Sequence, residues 1–132
     1  MILGVDLGQK TTGIAISQGT LATPYGTVKH KSISQAVFQI AKICDQENIQ
    51  KIVVGFVEGK IKSYFQSFVK NFQAQKPQIK VILWDETLTT RQARGTMIKL
   101  QVPKTKRKHK EHEVAAAIIL QSYLDSLCLK EF

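Results

Sequence analysis

Two short apolar runs, KIVVGF at 51–56 and VILW at 81–84, bracket a segment in which Tyr64, Phe65, Phe68 and Phe72 fall on one side of a helix. Strand, helix and strand in that order make a crossover unit, which places the two strands in one sheet. VILW is almost continuously apolar, so it predicts a strand buried on both faces. Upstream, Ile33, Val37, Ile40, Ala41 and Cys44 recur at helical spacing, and Ser32 followed by Gln35 is a capping-box start, so a helix is predicted from about 33 to about 47.

The first thirty residues read differently. Ile2, Leu3, Val5 and Leu7 form one β-type run and Ile14, Ala15 and Ile16 another, with Gln9 to Gly13 as turn and strand start; a third strand is predicted from Tyr25 to His30, after the Thr23-Pro24 break. Pro77 ends the helix predicted around 61–72. Thr89 or Thr90 can cap another helix through Ala93, Met97 and Leu100, closed by Pro103. VAAAIILQSYLDSLCL makes the final helix, and its first half is apolar all round, as a helix covered by protein would be. The expected fold class is α/β: a mixed central sheet, three antiparallel strands and then parallel strands, with helices on both faces. At 132 residues and 43% hydrophobic, the chain suits a single domain over 1–132.

No apolar run approaches the roughly eighteen residues of a spanning helix, and the first residues lack a signal peptide's basic start, so a soluble cytoplasmic protein is expected. Cys44 and Cys128 are far apart in helical segments, which suits buried reduced thiols rather than a disulfide or zinc framework. The formal net charge is +9, and KTKRKHK at 104–110 supplies five positive charges without an acid. Such a cluster points to a polyanion, with nucleic acid the first candidate and a solvated lysine-rich loop the plainer one.

Against that basic background, acids in apolar strands stand out. Asp6 interrupts the first strand, and an ionised carboxylate buried without partners costs several kcal/mol, so it needs donors or a cation. Gly8, lacking a Cβ, leaves space beside it for a ligand or a crossing backbone. Asp85 and Glu86 stand where VILW runs out, at the carboxyl end of a strand, where ligands of open α/β sheets bind. On the final helix, a turn of about 100° per residue puts Glu113 with Ala116, Leu120, Tyr123 and Leu127, Glu111 opposite, and His112 at the margin. Glu111 and Glu113 would also simply suit a helix N-terminus. Acids that would repel nucleic acid become useful where they bind Mg²⁺.

GVDLGQKTTGIAIS, KIVVGF, VILWDETLTT, KTKRKHK and VAAAIILQSYLD, in that order and spacing, resemble the YqgF (RuvX) family of the RNase H-like superfamily, related to RuvC resolvases. The similarity covers nearly the whole chain. It implies an RNase H-like fold and a metal-dependent nuclease that trims the 5′ end of pre-16S ribosomal RNA or resolves Holliday junctions. It also implies Asp6 as the first-strand acid and Glu86, with Asp85 beside it, as the acidic pair after the later strand. Three departures stand in this chain: His112 where the family usually has aspartate, VEGK at 57–60 in place of a proline-containing loop, and DET where DER is usual.

The expectation is that Asp6, Glu86 and either His112 or Glu113 carry the chemistry, with Asp6, Asp85, Glu86 and His112 as candidate ligands of Mg²⁺ or Mn²⁺. Lys10, Lys104, Lys106, Arg107, Lys108 and Lys110 would hold the phosphates of an rRNA precursor or branched DNA. Monomer and homodimer both remain open. A noncatalytic nucleic-acid-binding module is the rival reading, discriminated by the absence of divalent-dependent cutting. A nucleotide-phosphate loop at Gly8 to Thr12, similar to that of actin-like ATPases, would need a second related domain that 132 residues do not supply.

Overall fold

The computed structural model describes residues 1–56, 62–86, 95 and 111–130, side chains at 62 and 128–130 aside. The elements are β1 (Ile2–Asp6), β2 (Thr11–Ser17), β3 (Ala22–Lys29), α1 (Ile33–Glu47), β4 (Lys51–Phe56), α2 (Lys62–Gln75), β5 (Lys80–Asp85) and α3 (Glu111–Lys130). The helix expected from Thr89 or Thr90 to Leu100, the VEGK loop and the KTKRKHK run lie outside the described residues.

The strands form one mixed sheet in the order β3-β2-β1-β4-β5. β1 pairs antiparallel with β2 and parallel with β4; β2 pairs antiparallel with β3, and β4 parallel with β5. This is the expected arrangement of three antiparallel strands followed by parallel ones. Helices cover both faces. Leu3, Val5, Ile14, Ile52 and Val54 pack with α1 and α2 residues such as Val37, Ile40, Phe68 and Phe72. Ala15 and Val53, on the other face, pack with Ala116, Ile119, Leu120 and Tyr123 of α3. Phe68 and Phe72 are fully buried and stacked with centroids 6.0 Å apart. Burying each contributes roughly 2–3 kcal/mol.

α1 begins as its sequence dictates. Ser32 Oγ accepts from the Gln35 backbone N–H at 3.2 Å, while Gln35 Oε1 reaches one residue beyond the cap to the Lys31 N–H at 2.8 Å. Asn48 ends it in the left-handed region, φ 54°. Cys44 is buried, and burial pushes its thiol up to about 12, so it stays protonated and inert.

Two expectations about strands differ from what is observed. β3 starts at Ala22 and runs through Pro24, because β3 is an edge strand and the register shifts between Ile14 and Ala15 where Pro24 pairs. β5 is the other edge of the described sheet, and Leu83 is 50% exposed, so the apolar run VILW is not buried on both faces. No helix among the described residues is long and apolar enough to cross a membrane.

Candidate active site

The site is built where β1, β2, β4 and β5 meet the start of α3. Side chains alternate along a strand, so Leu3, Val5 and Leu7 enter the core under α1 and α2, while Ile2, Gly4 and Asp6 face α3. Asp6 is the last residue of β1, flanked by Gly13 of β2 and Gly55 of β4 in the strand register. Neither neighbour has a side chain to cover it.

The glycines serve α3. A Cβ on Gly4 would meet Leu120 and the Ala116 carbonyl; on Gly55, Ile119; and on Gly13, the backbone of His112 and Glu113. The first turn of α3 therefore lies directly against the strand partner of Asp6. Gly8 has a related reason: a Cβ there would run into the Thr11 carbonyl, so the β1–β2 turn folds back on its own backbone where Gly8 stands.

Glu86 arrives from β5. Trp84, two residues before it, donates from Nε1 to Ser122 Oγ at 3.3 Å and packs edge-on against Tyr123 at 5.6 Å, which ties the end of β5 to α3. One residue past the strand, the Glu86 side chain hydrogen-bonds with Asp6. Asp85, by contrast, falls on the pleat face of Val81 and Leu83.

The Asp6–Glu86 contact has an electrostatic consequence. Burial pushes the Asp6 carboxyl above its ordinary pKa, and the hydrogen bond with Glu86 opposes that rise in part. Two carboxyl groups can hydrogen-bond only with a proton between them, since two carboxylates both accept and repel. A divalent cation can take that proton's place, and Mg²⁺ is commonly held by one or two carboxylates completed by substrate phosphates and water. The donor chemistry of the pair thus fits a hard cation. Among the described residues no group of three or more His, Cys, Asp and Glu could hold a metal ion, so the pair is the described core of any such site.

At the third position Glu113 is buried, 6% exposed, as its place on the Ala116–Leu120–Tyr123 stripe requires. His112 is exposed, its Nε2 3.9 Å from the exposed Glu111 carboxylate. Both acids in the first turn of α3 suit the helix dipole. Lys10 is exposed on the turn between β1 and β2, and Lys104, Lys106, Arg107, Lys108 and Lys110 lie outside the described residues.

Reading the sequence one residue at a time missed the neighbours that shape this site. Gly13 reads as turn material, yet a glycine inside a strand signals close backbone approach, and α3 is what approaches. Thr12 and His30, both buried, are joined at 2.7 Å behind the same turn, a contact that only the β2–β3 pairing creates.

Residues 1–126 match the family model described as Holliday junction resolvase. A relative from Aster yellows witches'-broom phytoplasma, provisionally named a pre-16S rRNA nuclease, is 40% identical, covering 96% of this chain and 90% of the relative. One of the same name from Caldanaerobacter subterraneus subsp. tengcongensis is 38% identical, covering 95% and 96%. Among solved structures, Thermus thermophilus RuvC in complex with a Holliday junction substrate superposes with a TM-score of 0.62 at 11% identity, covering 95% of this chain and 94% of that one. The fowlpox virus Holliday junction resolvase does so with a TM-score of 0.59 at 18% identity, covering 95% and 98%. At those identities the two structures speak for the fold, which is that of RuvC-like resolvases.

Proposed function

The chain belongs to the RuvX family of Holliday junction resolvases, and on that premise we propose a divalent-metal-dependent nuclease that hydrolyses phosphodiester bonds in structured nucleic acid, in the cytoplasm. The observation that carries this reading is the hydrogen-bonded Asp6–Glu86 pair at the ends of two strands, in a chain of net charge +9.

Asp6 and Glu86 would hold Mg²⁺ or Mn²⁺; Glu113, buried in the first turn of α3, forms no three-ligand group with them. Bound there, the ion would supply charge neutralisation at the phosphodiester and a water of lowered pKa. The chain's own part is positional. Trp84 and Ser122 hold the end of β5 against α3, so that Glu86 stays beside Asp6. Lys10 and the 104–110 cluster would bind phosphates, drawing the substrate in by charge. Between the two substrates that relatives' names suggest, the ribosomal RNA precursor is favoured, because the relatives named for it are about 40% identical over nearly the whole chain.

The test is cleavage of a labelled pre-16S rRNA 5′ segment and a labelled four-way DNA junction in Mg²⁺, Mn²⁺ or chelator. Metal-dependent products are expected from the wild type, with Asp6→Asn slower by roughly a thousandfold. Unchanged turnover in Asp6→Asn would remove the pair from the chemistry. His112, exposed where the family usually has an acid, favours a second reading, a noncatalytic binding module. Salt-sensitive binding without cutting in any metal would establish that one instead.

A further inference from the structure

The turn between β1 and β2 is held from behind by three side chains that the hydrolytic pair does not use. Tyr64 of α2 donates its O–H to the Gly8 carbonyl at 2.9 Å. The Gly8 N–H points at Thr12 Oγ1 at 3.4 Å, and Thr12 Oγ1 is in turn 2.7 Å from His30 Nε2. His30 closes the loop through its backbone, whose N–H donates to the Lys10 carbonyl at 2.9 Å. We propose that Thr12, His30 and Tyr64 are positioning residues that set the Gly8–Lys10 turn so that Lys10 meets a nucleic-acid phosphate beside Asp6.

The inference rests on the reading that Lys10 contacts phosphate. Its physical warrant is the cost of the arrangement. Thr12 is fully buried and His30 is 4% exposed, in the same core as Ile14 and Val28, where an apolar pair would pack without desolvating polar atoms. His30 Nδ1 makes no hydrogen bond of standard geometry and has only a weaker contact with the Ser32 backbone. What the polar pair adds is direction. Its bonds end on backbone groups of the turn, on the face opposite Asp6, and leave the Lys10 side chain in solvent. Burial holds the imidazole below its ordinary pKa and the Tyr64 phenol above its own, so both stay neutral and keep these roles.

A double-mutant cycle on binding tests this without requiring cleavage. The probes are a 5′-labelled RNA stem–loop and a labelled four-way DNA junction, in chelator at low salt. Thr12→Val, which keeps the shape and removes the hydroxyl, and Tyr64→Phe, which removes only the phenolic oxygen, are each combined with Lys10→Ala. Each single variant is expected to weaken binding about tenfold, with Thr12→Ser restoring wild-type affinity. The Thr12→Val/Lys10→Ala and Tyr64→Phe/Lys10→Ala doubles are expected to bind no worse than Lys10→Ala alone. Losses that multiply, or Thr12→Val and Tyr64→Phe that bind as wild type, would overturn the proposal; so would a wild type that binds neither probe. A wild type that binds but never cuts in Mg²⁺ or Mn²⁺ would sink the hydrolytic reading alone, since the cycle is read from binding.

Discussion

Asp6 is buried beside a second carboxyl group, and burial holds its pKa above the ordinary carboxylate range. With metal chelated, its raised pKa means that the folded chain keeps this proton more tightly than the unfolded chain does. The folded state then binds the extra proton, so stability is greatest below the unfolded carboxylate value and falls as pH rises through the folded one. The Asp6 contribution to stability in chelator should therefore decline from acid toward neutral pH, and Asp6→Asn, which lacks it, should gain on the wild type in melting temperature as pH rises toward neutral. Mg²⁺ should raise the melting temperature of the wild type by mass action and leave Asp6→Asn unmoved. An equal metal shift in both proteins would place the ion elsewhere. From sequence, an acid in an apolar strand demands a partner, and that much was legible at Asp6. That the partner is Glu86 rather than Asp85 was not, because it depends on where the pleat of β5 ends.

α3 works as a lid of backbone laid on glycine. Where Gly13 touches the His112 and Glu113 backbone there is no flexible side chain to yield, so Gly13→Ala should displace the first turn of α3, costing about 2–3 kcal/mol in urea unfolding. Gly26→Ala is the internal control: a Cβ there meets nothing, and its effect should stay within about 0.5 kcal/mol. Loss of metal-dependent cutting in Gly13→Ala at temperatures where it is still folded would tie the seat of α3 to the site. Helical periodicity had already put Glu113 on the inward stripe and Glu111 outside it, as observed. It left His112 at the margin, and only the docking of α3 on β2 turned that side chain to solvent.

Taken together, the basic charge and the acidic pair predict a binding reaction dominated by counterion release. Each phosphate neutralised contributes to the fall of affinity with salt, so replacing Lys104, Lys106, Arg107, Lys108 and Lys110 by Ala should shallow the slope of log affinity against log salt by roughly four. Fluorescence titration of the RNA stem–loop at several salt concentrations measures it. A slope that stays put would return those five charges to the role of a solvated loop. Asp6→Asn, in contrast, should leave the slope nearly as it is, because it alters the site of the cation and not the phosphate contacts.

Among the described residues, element order, strand polarity and the covering of both faces followed from the sequence alone, because apolar periodicity and turn chemistry are local properties written within a few residues of each other. The clustered charge and the isolated acid were equally local. What waited for the tertiary structure was everything that depends on which strands become neighbours: the exposure of Leu83 at a sheet edge, the hydrogen bond across 80 positions between Asp6 and Glu86, and the Thr12–His30 pair behind the turn. Pairing and register are decided by the sum of many contacts across the sheet, and no single segment carries that sum.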